Sequence, residues 1–368
     1  MKKILIVAGT RPNFVKITRF KKITLKYPLL EFKIAHTGQH YDDRLSDIFF
    51  RQFDLVPDFF LNISSRSPAS QVAEIMMRLE KVADRYKPDL IMVPGDVNST
   101  LAAALTANKM NIKLAHIESG LRSFDTSMPE EFNRIITDRL SDYLFVTEQS
   151  GIDHLLREGK QRENIYFTGN TMIDTLIAFR KQIDRSDVLK KLNTGKEKYL
   201  LMTMHRPSNV DSRKGLRKLV RIITRITGGY KVVFPAHPRT VKNLKQYRLF
   251  GTLLANKNLI LSGPMDYFSF QKLVSGSFAV ITDSGGIQEE TTFLGIPCLT
   301  LRENTERPVT VSMGTNELIQ FDEDIICRKI SSIEKGLYKK GKIPPLWDGK
   351  ATERIMKVLH NKRDLMDC

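Results

Sequence analysis

Short apolar segments with the composition of β-strands alternate with helical segments along almost the whole chain. The first strand is predicted at Ile4–Ala8, and a helix is predicted to follow over Phe14–Tyr27. The alternation pauses once, in the charged stretch from Ala178 to Lys198, and it restarts with a predicted strand at Tyr199–Thr203. Such alternation is typical of parallel, doubly wound α/β sheets, so we predict two Rossmann-like domains.

Chain length supports this division, because 368 residues are too many for one ordinary α/β domain and suit two. We predict an N-terminal domain over residues 1–175 and a C-terminal domain over residues 190–350. The last helix, at about 351–368, is predicted to pack back on the N-terminal domain. Two such domains leave a central cleft at the carboxyl ends of their strands, which is where ligands bind in this architecture.

The net charge of +17 raises the question of a nucleic-acid or membrane partner. Most Lys and Arg residues are interspersed with acids, and the dense basic stretch Lys339–Lys342 lacks aromatic residues. We therefore predict no nucleic-acid and no membrane partner, and a protein that attracts anionic small molecules. Cys298, Cys327 and Cys368 lie far apart, which fits a reducing cytoplasm and no metal site. The apolar run after Met1 is too short to span a membrane.

A strand, a tight turn and a helix N-terminus are predicted within Thr282–Glu290, where the turn reads Ser284-Gly285-Gly286. Such a turn exposes backbone N–H groups at the positive end of a helix dipole, which suits a phosphate group. The carboxylates one turn later could reach sugar hydroxyls. The pattern indicates a nucleotide-linked ligand and leaves its reaction open.

A second polar cluster, Gly9–Lys16, follows the first predicted strand. It matches neither the dinucleotide fingerprint nor a P-loop, so neither NAD nor ATP is indicated. Arg11 and Lys16 could bind a diphosphate, and the alternative is an ordinary strand-to-helix turn with solvated cations.

Three carboxylates follow neighbouring predicted strands of the first domain, and each has an ordinary alternative role. Asp96 could cap the following helix, and Glu118 could form a buried pair with Arg122. Glu130 could interact favourably with the positive end of a helix dipole. Because the loops that carry them meet at one sheet edge, the three side chains can converge. Carboxylates that repel one another acquire the split pKa values that acid/base catalysis needs.

Two further clusters follow strands of the second domain. His205 and Arg206 occupy a strand end, which favours anion binding, and His237 is a weaker signal of the same kind. The second cluster is the segment Arg302–Pro308.

Taken in order, these clusters make the chain resemble the non-hydrolysing UDP-N-acetylglucosamine 2-epimerase family over nearly its whole length. The motifs that carry the resemblance are Gly9–Lys16, Thr37-Gly38-Gln39-His40, Gly95-Asp96, Glu118–Arg122, Pro129–Arg134, Thr168-Gly169-Asn170, His205-Arg206, Asp283–Glu290, Thr305–Pro308 and Asp348-Gly349. The resemblance implies a glycosyltransferase-B-like fold, a homodimer, and neither a metal nor a redox cofactor. It also implies inversion of C2 of UDP-GlcNAc to give UDP-ManNAc, by loss and return of UDP through a 2-acetamidoglucal.

The resemblance also implies roles for individual residues. Asp96, Glu118 and Glu130 would be the acid/base carboxylates, and His205 would aid the departure of UDP. The remaining residues would bind the UDP-sugar: Arg11, Lys16, Ser284, Gly285, Gly286 and Arg307 at the phosphates, Glu290 at the ribose, and Tyr267 or Phe268 at the uracil.

The chain departs from well-known bacterial members of the family at three positions that contact an activating second UDP-GlcNAc. An amide and two cations are replaced here by Asp42, Glu74 and Pro207. Because an acid repels a diphosphate, we predict that activation by UDP-GlcNAc is weak or absent. Pro308-Val309 is a further departure without an interpretation.

Four alternatives stay open at this stage. The substrate could be a modified sugar such as a UDP-diacetamido-uronic acid. A glycosyltransferase of the same fold would need an acceptor groove, for which the sequence offers no amphipathic anchor. A hydrolysing epimerase is disfavoured by the Gly9-Thr10-Arg11-Pro12 opening, and a non-catalytic binding protein by the presence of all three carboxylates and His205.

Overall fold

The computed structural model of this chain describes residues 1–38, 49–65, 67–194 and 197–362. The chain packs into two compact units. The first holds Met1–Ala178 and the returning segment that begins at Pro345, and the second holds Phe179–Pro344.

The described part of the first unit is built on a seven-stranded parallel sheet in the order β3-β2-β1-β4-β5-β6-β7. Its strands are β1 Lys2–Ala8, β2 Leu30–His36, β3 Phe59–Phe60, β4 Leu90–Pro94, β5 Lys113–Ile117, β6 Tyr143–Val146 and β7 Ile165–Phe167. The central strands are buried on both faces, which explains why they read as continuous apolar runs. The strand order reverses between β1 and β4, and loops at such a point are free to form a ligand site.

Helices cover this sheet. They are Arg11–Ile17, Phe20–Thr24, Pro68–Tyr86, Asn98–Lys109, Pro129–Leu140, Gln149–Arg157, Thr171–Ala178 and Ala351–Asn361, with a 3-10 turn at Arg162–Asn164.

The second unit repeats the arrangement around a six-stranded parallel sheet in the order β10-β9-β8-β11-β12-β13. The strands are β8 Tyr199–Thr203, β9 Lys231–Pro235, β10 Leu259–Ser262, β11 Ala279–Thr282, β12 Cys298–Thr300 and β13 Asn316–Leu318. Its helices are Arg180–Asp184, Val188–Lys191, Pro207–Val210, Arg213–Ile226, Pro238–Gln246, Phe250–Leu254, Tyr267–Gly276, Gly285–Leu294, Pro308–Ser312 and Glu323–Glu334. Here the strand order reverses between β8 and β11.

The C-terminal helix Ala351–Asn361 is fastened to the first unit at both ends. At its start, the carboxylate of Asp174 accepts bonds from the backbone N–H groups of Ala351 (3.1 Å) and Thr352 (2.6 Å). At its end, the buried Lys2 ammonium donates to the carbonyls of Leu359 (2.9 Å) and His360 (3.0 Å). The groups that a helix leaves unpaired at its termini are thus partnered by the first sheet and its helices.

One local prediction was wrong, and two strands were not predicted. The single helix predicted over Phe14–Tyr27 is two helices, because the first ends at Ile17 and the next starts at Phe20. At the break, the Thr18 hydroxyl lies 2.6 Å from the Thr175 hydroxyl and hydrogen-bonds to it. Hydrophobic periodicity in the sequence does not predict such a tertiary contact. Strands β3 and β13 were missed, because one has two residues and the other contains Asn and Glu.

Within the described ranges, no helix is long and apolar enough to cross a membrane.

Candidate active site

The carboxyl ends of β1, β4 and β5 lie side by side in the first sheet, at and next to the point where strand order reverses. The loops after β4 and β5 carry Asp96 and Glu118, and the short helix that follows β1 carries Arg11 and Lys16. Parallel pairing of adjacent strands is therefore what brings these distant segments of the chain together.

Thr10 starts the short helix that carries Arg11 and Lys16. Its backbone N–H donates to Asn13 Oδ1 at 3.1 Å, and Asn13 Nδ2 donates to the Pro94 carbonyl at 2.9 Å. The loop after β1 is thereby tied to the end of β4. Arg11 is half-buried, and its guanidinium lies 5.8 Å from the ring centroid of Phe49, as in a cation–π contact.

Glu118 is buried, and its carboxylate Oε2 lies 2.6 Å from the buried ammonium nitrogen of Lys16. Its backbone has φ of +72°, the left-handed region that L-residues seldom adopt. In this conformation the N–H groups of Glu118 and Ser119 both donate to the Phe145 carbonyl, at 3.0 and 3.1 Å. Strain of this kind persists where the surroundings enforce it and is common at functional sites.

The alternative of a buried Glu118–Arg122 pair is wrong. Arg122 pairs with the buried Asp138 at 2.7 Å and with Glu158 at 2.7 Å. Lys16, 102 positions earlier in the chain, is the cation that faces Glu118.

Asp96 is held by Arg134, from the helix Pro129–Leu140. The guanidinium donates to Asp96 Oδ2 from Nε at 2.9 Å and from Nη2 at 2.8 Å, and Asn133 Nδ2 bonds the Asp96 carbonyl at 2.8 Å. The alternative of helix capping is wrong, because Val97 occupies the cap position and has no side-chain cap bond. Asp96 remains about a quarter exposed, so its carboxylate is both fixed and accessible.

Glu130 and Glu131 occupy the first turn of that helix and differ in environment. Glu130 is half-buried, whereas Glu131 is buried and accepts bonds from the Ser123 hydroxyl (2.8 Å), the Phe124 N–H (2.9 Å) and the Arg134 guanidinium. Sequence reasoning missed the roles of Arg134 and Glu131. The three-residue spacing from Glu131 to Arg134, on one face of a helix, was the available signal.

In the second unit, β11 leads into the turn that was predicted to bind phosphate. Ser284 is the N-cap of the helix Gly285–Leu294, and its N–H donates to Thr282 Oγ1 at 2.9 Å. The next two N–H groups, at Gly285 and Gly286, lie in the first turn of the helix. Backbone N–H groups in the first turn have no hydrogen-bond acceptor within the helix. A Cβ at Gly285 would lie 2.7 Å from Glu306 Oε1 and 2.9 Å from Arg307 Nη1, so this glycine leaves room for the Glu306–Arg307 pair beside the turn.

His205 follows β8 and is anchored by the buried Asp283. Its Nδ1 lies 2.9 Å from Asp283 Oδ1, and the backbone N–H of Arg206 donates to Asp283 Oδ2 at 2.9 Å. Burial alone would raise the pKa of Asp283, but the hydrogen bond and charge of His205 outweigh it and lower that pKa. The imidazole is about two-fifths exposed, so its outer nitrogen can reach a ligand. His237 caps the helix Pro238–Gln246 by accepting from the N–H of Arg239 at 3.2 Å.

Arg307 lies in a buried cluster of opposite charges. Its Nε is 2.9 Å from Glu289 Oε2, and its Nη1 is 2.5 Å from Glu306 Oε1. Glu306 also pairs with Arg302 at 2.9 Å. The predicted phosphate ligand Arg307 is therefore rigidly placed.

Glu290 is buried on the same helix, one residue after Glu289. Burial raises the pKa of Glu290 to about 8; a hydrogen bond with Gln271 opposes the shift, and the charge of Glu289 adds to it. The Tyr267 phenol is also buried, and burial together with the Glu290 charge raises its pKa. Tyr267 and Phe268 begin the helix Tyr267–Gly276, with ring centroids 6.2 Å apart.

Of the three departures from the family pattern, Asp42 lies outside the described residues, as do Gln39 and His40 of the matching motif before it. Glu74 accepts bonds from the N–H groups of Ser64 (3.1 Å) and Ser65 (2.8 Å) and pairs with Arg78 at 2.6 Å. Pro207 starts the helix Pro207–Val210, where a proline is well tolerated.

The sequence profile of the family described as UDP-N-acetylglucosamine 2-epimerase matches residues 24–360. A UDP-N-acetylglucosamine 2-epimerase of Methanocaldococcus jannaschii is 38% identical over 364 residues, which cover 97% of this chain and 98% of that protein. A UDP-2,3-diacetamido-2,3-dideoxy-D-glucuronate 2-epimerase of Pseudomonas aeruginosa is 35% identical over 362 residues, with coverage of 97% and 99%.

Among solved structures, the M. jannaschii UDP-GlcNAc 2-epimerase in complex with UDP-GlcNAc and UDP has a TM-score of 0.89 at 38% identity, covering 98% of this chain and 100% of that one. The predicted α/β class with two Rossmann-like domains and the predicted family are both confirmed. The chain belongs to the UDP-N-acetylglucosamine 2-epimerase family.

Proposed function

We propose that this protein inverts C2 of UDP-GlcNAc to give UDP-ManNAc. The observation that carries the proposal is the pair of carboxylates at adjacent strand ends, Asp96 held by Arg134 and Glu118 held by Lys16. The C2 proton is not acidic, because no carbonyl is adjacent to C2. Removing it therefore calls for a fixed carboxylate base and a leaving group at C1, and membership of the family supports both requirements.

In the first step the bond from C1 to the β-phosphate oxygen breaks, and its electron pair leaves with UDP. A carboxylate takes the C2 proton, and the C2–H electron pair becomes the C1–C2 double bond of 2-acetamidoglucal. In the second step a carboxylic acid delivers a proton to the other face of C2, and UDP re-forms the bond at C1. Two faces of one carbon require two groups, for which Asp96, Glu118 and Glu130 are the candidates.

UDP is proposed to bind to the second unit. The Ser284-Gly285-Gly286 turn presents the N-terminus of an α-helix to the phosphates, and Arg307 lies beside Gly285. His205, oriented by Asp283, is placed to donate a proton or hydrogen bond to the departing diphosphate. Glu290 would accept bonds from the ribose hydroxyls, and Tyr267 and Phe268 would contact the uracil. Arg11 and Lys16 are proposed as further phosphate ligands, and Lys16 would act so in addition to its pairing with Glu118.

A second candidate substrate is a UDP-diacetamido-uronic acid. It is supported by the P. aeruginosa relative, which is 35% identical and is named for that reaction. We also propose a cytoplasmic homodimer that supplies a precursor for polysaccharide synthesis, on the basis of family membership.

The test is incubation of the protein with each UDP-sugar in deuterated water, followed by NMR at C2. Deuterium at C2 together with UDP-ManNAc supports the main proposal, and the same result with only the uronic-acid substrate supports the second. Free UDP with free sugar would indicate hydrolysis. No exchange with either sugar would contradict both proposals and favour a glycosyltransferase or a binding protein.

A further inference from the structure

His116, on β5, is fully buried, and each of its ring nitrogens faces an oxygen. Nδ1 lies 2.7 Å from Asp138 Oδ1, and Nε2 lies 2.8 Å from the carbonyl oxygen of Gly95. A carbonyl oxygen can only accept, so Nε2 must carry a proton. A neutral imidazole has one N–H, and Nδ1 would then have to accept from a protonated Asp138.

Asp138 is not placed to be that acid. Besides His116, its carboxylate accepts the Gly120 N–H at 3.0 Å and pairs with Arg122 at 2.7 Å. With Asp138 ionised, both ring nitrogens donate, and the ring is an imidazolium.

The surrounding charges agree with this state. Arg122 also pairs with Glu158 at 2.7 Å, so two cations, His116 and Arg122, meet two anions, Asp138 and Glu158. Lys160 adds a positive charge near Asp138. The remaining charged pair on this loop is Glu118 with Lys16, and Arg134 from the neighbouring helix faces Asp96. A neutral ring would leave the buried carboxylate under-compensated, which is costly.

The imidazolium joins the two loops that carry the proposed catalytic carboxylates. Gly95 is held from both sides, since its N–H donates to the Ile117 carbonyl at 3.1 Å and its carbonyl accepts from His116. The next residue is Asp96. On the other loop, the Ser119 hydroxyl donates to the His116 carbonyl at 2.7 Å, immediately after Glu118.

We propose that His116 is a positioning residue, whose imidazolium clamps Gly95 to Asp138 and thereby fixes Asp96 relative to Glu118. The inference rests on the proposed function, because it concerns the same two carboxylates. The clamp lies one residue from Asp96 and contacts no reacting atom. Loss of the Nε2 proton would release the Gly95 carbonyl, so kcat should fall when the ring deprotonates.

The first experiment is ¹⁵N NMR of ring-labelled histidines in the intact protein from pH 6 to 10. At pH 7 one of the seven histidines should show the imidazolium pattern at both ring nitrogens, and its signal should vanish in His116→Gln. A His116 signal with one unprotonated nitrogen at pH 7 would overturn the proposal. This readout needs neither substrate nor turnover.

The second experiment measures kcat for C2 exchange against pH. In the wild type, kcat should fall where the His116 signal begins to titrate, and unchanged kcat through that titration would overturn the positioning role. In His116→Gln, we expect kcat to fall by roughly 100-fold, as for a small misplacement of a catalytic group, with KM and UDP affinity nearly unchanged. Asp138→Asn should move the alkaline limb to lower pH, whereas a merely structural defect would lower kcat equally at every pH.

His360→Gln is the matched control, because His360 lies on the C-terminal helix near Tyr27, and its activity should equal that of the wild type. If both clamp variants fail to fold, the wild-type titration and pH profile still decide the question. If the wild type exchanges no C2 proton on either sugar, the proposed function fails. In that case a persistent imidazolium would show a structural clamp only, and the positioning role would be rejected.

Discussion

The Lys16 ammonium lies 2.6 Å from the Glu118 carboxylate, and both side chains are buried. Glu118 is also held in a left-handed backbone conformation, with φ of +72°. The proposed base or acid is therefore fixed by a charge from the loop after β1 and by the backbone of its own loop. A buried carboxylate with one cationic partner is sensitive to the loss of that partner.

Replacing Lys16 tests this dependence. Lys16→Met should destabilise the protein by about 3–5 kcal/mol, because it leaves a buried carboxylate without its cation. Urea unfolding measures the difference. Lys16→Arg keeps the charge and should lose less, and Lys21→Met, which removes an exposed pair with Asp58, should change stability by less than about 1 kcal/mol. Equal losses at residues 16 and 21 would contradict the account.

The His205–Asp283 pair gives a second prediction. The folded pKa of Asp283 is lowered, so its contribution to stability is present above the unfolded value near 3.9 and is lost as pH falls through the folded value. Asp283→Asn should therefore be destabilised at pH 7 and converge on the wild type at strongly acidic pH, in urea unfolding at several pH values. It should also lower kcat by up to about 100-fold, because His205 loses its orienting partner. A constant stability difference at all pH values would argue against the ionised pair.

The pKa of Glu290 is shifted in the opposite direction from that of Asp283, so its contribution to stability depends on pH in the opposite way. Its folded pKa is raised to about 8 by burial, so the favourable state is the protonated one. Its contribution is complete below the unfolded value near 4.3 and is lost as pH rises through about 8. Glu290→Gln should remove this dependence, and its stability relative to the wild type should improve steadily between pH 5 and pH 9. Parallel profiles for the two proteins would show that Glu290 is ionised throughout.

The state of Glu74 bears on regulation. The Ser65 hydroxyl and then the Ser65 N–H hydrogen-bond the carboxylate and lower the pKa of Glu74 to about 2, so an anion stands where the resemblance implies an activator-binding cation. Initial rates should therefore rise hyperbolically with UDP-GlcNAc, with a Hill coefficient of about 1. Clear sigmoidality, or rates that respond to added UDP-GlcNAc when another sugar is the substrate, would refute this.

Much of the fold follows from local patterns, because strands buried on both faces read as continuous apolar runs. The rule that function gathers after parallel strands also located Asp96, Glu118 and His205. Their partners were not predictable in this way. Lys16 rather than Arg122 faces Glu118 because β1 and β5 lie on either side of β4 in the sheet. This strand order is a property of the tertiary structure, and local sequence patterns do not predict it. The left-handed backbone at Glu118 left no trace in the sequence, since a glutamate is not a residue that signals it.

The second unit shows the same division. The Ser284-Gly285-Gly286 turn predicted a helix N-terminus, and in the structure a helix begins at Gly285. The orienting role of Asp283 toward His205 joins residues 78 positions apart and depends on the pairing of β8 with β11.

Asp96 and Glu118 are proposed to move the C2 proton of a UDP-sugar. The most direct measurement is deuterium incorporation at C2 by Asp96→Asn and Glu118→Gln, beside the wild type and His360→Gln, with UDP affinity measured in parallel. We expect both variants to bind UDP normally and to lose exchange by about 100- to 10,000-fold, as for positioned acid/base groups. Exchange at the wild-type rate in both variants would remove these carboxylates from the mechanism.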